Sequence, residues 1–351
     1  MNNALKYGIV RGYAVTNDNY PPLMITILWA VGKIAALLMI SQFVALKASL
    51  LAFLCATSFC VWKWTRDLRL ALFTQLALTV NVLALGYTDV YFAPTLLLSL
   101  WALQQKRWAW FSVFYSVTCL VKYQALIFAP FLAIYILSEA YRQWSFRVLD
   151  YSFRPAGIAF LMCCDTFGYS FLETFSKATA HEYLSANALN FNWITTYYLR
   201  ATEYGFKDGI CLYLGGHEGW AFTLGKSLFY LSFIATIALY LRSEKTYNRT
   251  LLFSVIGFTS YFLFNTGVHE NHLFAPVLVL IALAGIMPEM RRVALSFAAI
   301  FNTNALAFYG FDGNGIASFR VVQGIDTTAP LACLVTIYLF AFCVRKCGIG
   351  F

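Results

Sequence analysis

The sequence predicts an all-α polytopic membrane protein, with about 11 transmembrane helices and one further helix lying in, or re-entering, the outer interface. Three observations carry this. Apolar residues make up 60% of the 351 and charged residues only 12%, against roughly 45–50% and 25% in soluble domains. Apolar stretches recur near 46–62, 69–86, 90–104, 108–125, 126–139, 154–172, 220–241, 249–267, 272–288, 292–309 and 328–345, many of them close to the ~20 residues that a helix needs to cross the hydrocarbon. Basic residues gather in alternate loops between these stretches.

Taken in order, residues 1–20 lack the sustained apolar core of a cleavable signal peptide. The segment 21–41, PPLMITILWAVGKIAALLMIS, is apolar enough to span, and Pro21 and Pro22 suit a first turn. Lys33 at its middle argues the other way, because a charge at the bilayer centre costs ~2.5–3.5 kcal/mol unless it is sheltered or snorkels. Hydropathy alone leaves both placements open. Among the later loops, one alternate set holds Lys63, Arg66, Arg69, Lys106, Arg107, Arg142, Arg147, Arg242, Lys245, Arg249, Arg291, Arg292, Arg345 and Lys346, with Arg154 at a span edge. By the positive-inside bias these loops are cytoplasmic. The net charge of +9, from 25 Lys+Arg against 16 Asp+Glu, therefore orients the chain in the bilayer and does not indicate nucleic acid.

All four histidines, His181, His217, His269 and His272, fall on the outer side or at its membrane edge. The outer loop 173–219 exceeds the ~12–15 residues beyond which loops are usually functional or disordered. Its Tyr183, Phe191, Trp193, Tyr197 and Tyr198 favour an ordered cap. The nine cysteines lie mostly within or beside spans, so a disulfide framework is not expected. With no linker or internal repeat, residues 1–351 read as a single membrane domain.

Four polar clusters stand on or near the outer face. In Asn17-Asp18-Asn19-Tyr20-Pro21-Pro22-Leu23 the prolines fix an extended entry to a helix and hold Asp18 and Tyr20 before it; alone it reads as a surface turn. Gly86-Tyr87-Thr88-Asp89 joins two spans, where Asp89 alone reads as a solvated interface residue. In Lys122-Tyr123-Gln124 the lysine either snorkels or binds phosphate as a point charge, with the Gln124 amide reaching a sugar or phosphate. Gly267-Val268-His269-Glu270-Asn271-His272-Leu273-Phe274 sets four polar residues between apolar runs, and ionisable groups there suggest a site.

Familiar cofactor motifs are absent from the sequence. The two histidines of the last cluster stand three apart, one short of the HExxH zinc motif. No metal ligand set is assigned, and a divalent ion is left open as a cofactor. No GxxxxGK[ST] loop offers a nucleotide site, and the sequon Asn248-Arg249-Thr250 lies on the inner side.

In order, NDNYPPL at 17–23, GYTDVYFA at 86–93, LVKYQALIFAP at 120–130, LSANALNFNWI at 184–194 and GVHENHLFAP at 267–276 resemble the polyprenyl-phosphate-sugar-dependent glycosyltransferases of the GT-C superfamily. The branch most similar holds bacterial relatives of the mannosyltransferases of GPI-anchor assembly and the glucosyltransferases of N-glycan assembly. The resemblance implies many transmembrane helices, a first outer loop with interfacial helices, and an active site between that loop and the bundle. It places the Tyr-Pro-Pro segment outside, so that 21–41 is interfacial or re-entrant. Members carry a span and a catalytic Asp upstream of that segment. Here residues 1–41 read as the remnant of the first outer loop, in an N-terminally shortened chain whose acid before the prolines is Asp18.

The resemblance further implies inverting transfer of a hexose, mannose or glucose, from a polyprenyl-phosphate donor to a glycan, glycolipid or protein acceptor. The reaction would occur on the extracytoplasmic face of a bacterial inner membrane. In this reading Lys122, with His269, His272 or Arg320, binds phosphate and stabilises the leaving group. Asp18 or Glu270 takes the acceptor's proton, and Tyr20, Asp89, Gln124, Asn190 and Trp193 contact sugar or acceptor. Competing readings are a lipid-linked glycan polymerase, a transporter, and a catalytically inactive truncated paralogue.

Overall fold

A computed structural model describes residues 2–16, 19–179, 183–199, 206–207, 210–211, 219–310, 321–322 and 325–348. Helices are α1 (Asn2–Tyr7), α2 (Ile9–Thr16), α3 (Pro22–Leu37), α4 (Gln42–Thr65), α5 (Leu68–Thr79), α6 (Ala93–Gln104), α7 (Trp108–Val121), α8 (Ala129–Arg142), α9 (Phe146–Phe167), α10 (Tyr169–Thr179), α11 (Phe191–Leu199), α12 (Trp220–Arg242), α13 (Tyr247–Phe264), α14 (Phe274–Ile286), α15 (Arg291–Tyr309) and α16 (Thr328–Gly348). The protein is all-α. Only two-residue strands accompany the helices among the described residues.

A helix occupies every apolar stretch read from the sequence. Among the described residues four segments are long and apolar enough to cross a membrane: Gln42–Thr65, Tyr123–Arg142, Trp220–Arg242 and Thr328–Cys347. The stretch 154–172 departs from expectation, because it is not one helix. Helices α9 and α10 meet at 111°, across Gly168 at φ 56 and ψ −141, a conformation that costs a residue with a Cβ. Other apolar helices are shorter. α3 has 16 residues, or ~24 Å at 1.5 Å per residue, less than the ~30 Å hydrocarbon thickness. Its Lys33 is exposed.

Local chemistry places the helix ends. Ser41 Oγ accepts from Val44 N–H at 3.2 Å to start α4. Arg66, left-handed at φ 58, ends it, and Asp67 then caps α5 by accepting from Arg69 N–H at 2.9 Å. Cap, left-handed stop and cap make the tight α4–α5 hairpin. Thr246 likewise starts α13.

The chain divides into two compact units, and the division passes through α8. Unit 1 comprises residues 1–126 and 135–180, within which α4 to α7 run up and down. Near one end Trp64 Nε1 donates to Gln104 Oε1 at 2.7 Å; near the other Lys47 Nζ donates to the Leu83 carbonyl at 2.5 Å. The first end also carries Glu139, which accepts from Lys106 at 2.8 Å, from Gln143 at 3.0 Å, and from Arg142. Residues 63–69 and 104–107 thus share one end, as the alternation of basic loops requires.

Unit 2 comprises residues 127–134 and 181–351. Its centre is α14, buried from Phe274 to Ala284. The Phe131 ring lies against α13 at Gly257, where a Cβ would come within 2.4 Å of it. A small residue lets the ring reach the helix backbone, a device common in membrane helix packing.

Candidate functional site

In unit 1 three of the sequence clusters converge. The pair Pro21-Pro22 opens α3 with Pro21 extended at φ −64 and ψ 163, which sets Tyr20 just ahead of the helix. Helix α7 ends where Lys122 turns extended at φ −149 and ψ 115. Asp89 comes from the 3-10 turn Thr88–Phe92. Lys122 Nζ lies 3.0 Å from Asp89 Oδ1 and 5.2 Å from the centre of the Tyr20 ring. The carboxylate is 1% exposed and the ammonium side chain 12%, so this is a buried ion pair roofed by an aromatic ring. Gln124, one turn on, is half-buried.

The approach to Asp89 is irregular. Helix α5 passes into a π turn, Val80–Ala84, in which Leu85 N–H reaches back to the Val80 carbonyl at 3.0 Å. Such turns recur at functional sites. Asn81 within it is fully buried, and neither its Oδ1 nor its Nδ2 meets a hydrogen-bond partner among the described residues. Its carbonyl receives Tyr87 N–H at 3.1 Å. Gly86, at φ 76, leaves the room beside Lys47 that a Cβ would reduce to 3.3 Å.

In unit 2 the segments 184–194 and 267–276 pair with each other. Residues Ser185–Ala186 form a parallel bridge with Val268–His269, and Gly267 N–H donates to the Tyr183 carbonyl at 2.8 Å. Beyond the bridge, Glu270–Leu273 make a 3-10 turn ahead of α14. His269 N–H donates to His272 Nδ1 at 3.3 Å, and the Tyr261 hydroxyl lies 3.3 Å from that same nitrogen. The backbone donor fixes Nδ1 as an acceptor and puts any proton of neutral His272 on Nε2.

Glu270 is 1% exposed. Burial pushes its carboxyl up to about 8, against hydrogen bonds from its own backbone N–H and the Tyr309 hydroxyl, which lower it. The Tyr309 oxygen accepts from Asn187 Nδ2 at 3.0 Å. An acid held neutral near physiological pH can release or accept a proton there, which is what general acid–base chemistry needs.

Asn190 and Trp193, expected to contact substrate, are both fully buried and engaged within the chain. Asn190 donates to the Phe262 carbonyl at 2.8 Å and accepts from Trp193 N–H at 2.9 Å, while Trp193 Nε1 donates to Thr328 Oγ1 at 2.9 Å. Asn192 closes the same clamp on the Phe264 and Asn265 carbonyls, both at 2.8 Å. As placed, these side chains secure the end of α13. Of the loop read as 173–219, residues 183–199 form the Ser185–Ala186 strand and α11. Asp18, Arg320, His181 and His217 lie outside the described residues.

The sequence reading missed Asn81, Lys47, Tyr309 and Asn187. A lone Asn in an apolar run was the available signal for Asn81. Among the described residues no three His, Cys, Asp or Glu side chains form a group that could hold a metal.

Fold and clusters together define an all-helical protein with membrane-length apolar helices and buried ionisable groups at helix ends. Comparison with protein-family models, curated proteins and solved structures returns no match.

Proposed function

We propose that this chain is a membrane glycosyltransferase that moves a hexose from a polyprenyl-phosphate donor to a glycan, glycolipid or protein acceptor, with inversion. One observation carries the reading: motifs that stand far apart in sequence meet in space. The segments holding Tyr20, Asp89 and Lys122 come together in unit 1, and those holding Asn190 and His269 are joined in unit 2 by a parallel backbone bridge. In this reading the apolar stretches span the bilayer, with 154–172 as a broken or re-entrant span, α3 lies at the outer interface, and the clusters face away from the cytoplasm of a bacterial inner membrane.

The chemistry follows from the groups. An ammonium has three N–H donors, and Asp89 holds that of Lys122 in one place, so that its charge can meet the donor phosphate and the negative charge that grows as the sugar–phosphate bond breaks. The acceptor hydroxyl oxygen attacks the anomeric carbon, the polyprenyl phosphate leaves, and a carboxylate takes the hydroxyl proton.

The test is sugar transfer from a labelled polyprenyl-phosphate hexose in proteoliposomes bearing the full chain. Lys122→Ala and His269→Ala are expected to lose roughly 10²-fold or more in rate, with folding of each variant checked by its Tm. Undiminished transfer by both folded variants removes these residues from the mechanism. Solute uptake by the same vesicles without any transfer overturns the enzyme reading.

A further inference from the structure

Unit 2 holds a cavity of about 670 Å³ that plays no part in the proposed transfer. That is within the ~300–1,000 Å³ range of small-ligand sites. It lies where α12 ends, α13 begins, the 3-10 turn Pro288–Met290 leads into α15, and α16 finishes. Its inner wall is apolar, formed by Leu239, Leu252 and Phe253. Phe253 packs against Tyr240, ring centres 5.1 Å apart, and with Phe131 forms a buried core cluster, so this wall is built on a rigid part of the unit.

The rim is charged. Arg242 from α12, Arg249 from α13 and Lys346 from α16 line it together with Glu244 and Glu289. Arg242 is exposed, and Arg249 and Lys346 are half-buried. An apolar wall beneath a cationic rim at the ends of membrane-length helices fits an amphiphile, its head at the interface and its chain in the hydrocarbon. Guanidinium groups take phosphate oxygens two at a time, and Lys adds a point charge. The rim's three cations exceed its two carboxylates by one. That excess matches the single negative charge of a phosphodiester better than the roughly −1.5 to −2 of a phosphate monoester at neutral pH. Neighbouring turns add Lys245, Arg291, Arg292 and Arg345, the pattern of a helix end set against an anionic leaflet.

We propose that this cavity binds the phosphodiester headgroup of an anionic phospholipid, with an acyl chain against Leu239, Leu252 and Phe253. The site is separate from the residues assigned to sugar transfer, and its test does not depend on that activity.

The full chain is reconstituted in phosphatidylcholine nanodiscs with and without phosphatidylglycerol, and retained lipid is read by native mass spectrometry. Wild-type protein is expected to retain phosphatidylglycerol. The double variant Arg242→Gln/Arg249→Gln, and separately Ser243→Phe, which narrows the mouth without changing charge, are expected to lose it by roughly tenfold. Arg291→Gln/Arg292→Gln, on the same basic end but outside the cavity lining, is expected to keep it. Three results overturn the proposal: unchanged retention in both cavity variants, equal loss in the Arg291/Arg292 variant, or inorganic phosphate raising the Tm of wild-type protein in phosphatidylcholine as much as phosphatidylglycerol does.

Discussion

Lys122 Nζ and Asp89 Oδ1 stand 3.0 Å apart with the carboxylate 1% exposed, so each charge is buried against the other. Removing one partner strands the second, and such losses run to about 3–5 kcal/mol. Lys122→Met alone and Asp89→Asn alone are each expected to lower Tm sharply. The double variant is expected to recover much of that loss, and a double-mutant cycle by thermal unfolding in detergent measures the coupling. Additive losses would show that the two charges do not depend on each other.

Glu270 sets a pH dependence of known sign. Its folded value of about 8 lies above the ordinary 4.5, so the folded state holds a proton that the unfolded state releases. The stabilising contribution is complete below about pH 4.5 and is lost as pH rises through about 8. Glu270→Gln, neutral throughout, is expected to flatten the Tm profile across that window.

Asn190 Nδ2 donates to the Phe262 carbonyl at 2.8 Å, and its Oδ1 accepts from the Trp193 N–H at 2.9 Å, an N–H that also reaches the Asn190 backbone carbonyl at 3.1 Å. Stranding buried groups of this kind costs about 1–3 kcal/mol each. Asn190→Ala is expected to be destabilised by roughly 1–3 kcal/mol on that basis, and hydrogen exchange is expected to increase in the last turn of α13. A variant that keeps its Tm but loses transfer would instead make Asn190 a substrate contact.

Asn81 presents the opposite balance. Its buried amide meets no partner among the described residues, and an unpaired buried polar group costs about 1–3 kcal/mol. Asn81→Leu is expected to raise Tm while lowering transfer, because a group kept at a cost in stability beside the Asp89 turn is one that function requires. Raised Tm with full transfer would leave Asn81 without a part in the site.

At Gly168 the cost is in the backbone alone. A Cβ there would meet nothing within 4 Å, yet φ 56 with ψ −141 is strained for other residues by about 1–3 kcal/mol. Gly168→Ala is expected to lower Tm by that margin, and spin labels on α9 and α10 are expected to report an altered bend.

Much of the helical layout was legible because apolar runs of membrane length leave few alternatives to a helix. The α4–α5 hairpin was implied by the short basic loop between the stretches 46–62 and 69–86. The bend at Gly168 was not, since a lone glycine in an apolar stretch is compatible with a continuous helix. The site was legible as residue types and not as partnerships. Lys122 and Asp89 each stood out, but their ion pair depends on how helices pack. Asn190 and Trp193 were expected as sugar or acceptor contacts from the family resemblance, and their bonds to the Phe262 carbonyl and the Thr328 hydroxyl depend on long-range packing that residue types do not reveal.

The π turn at Val80–Ala84 has a consequence for the length of the chain as well as its composition. A π turn carries one surplus residue, and one residue is worth roughly 100° of helical rotation. The apolar stripe of α5 before Val80 and the residues of the turn itself therefore stand in two angular phases, up to Gly86, where the chain leaves the helix. Deleting a single residue inside the turn would bring them into one phase and rotate the point from which the chain departs toward Asp89, with every side chain of the Asp89–Lys122 pair still encoded.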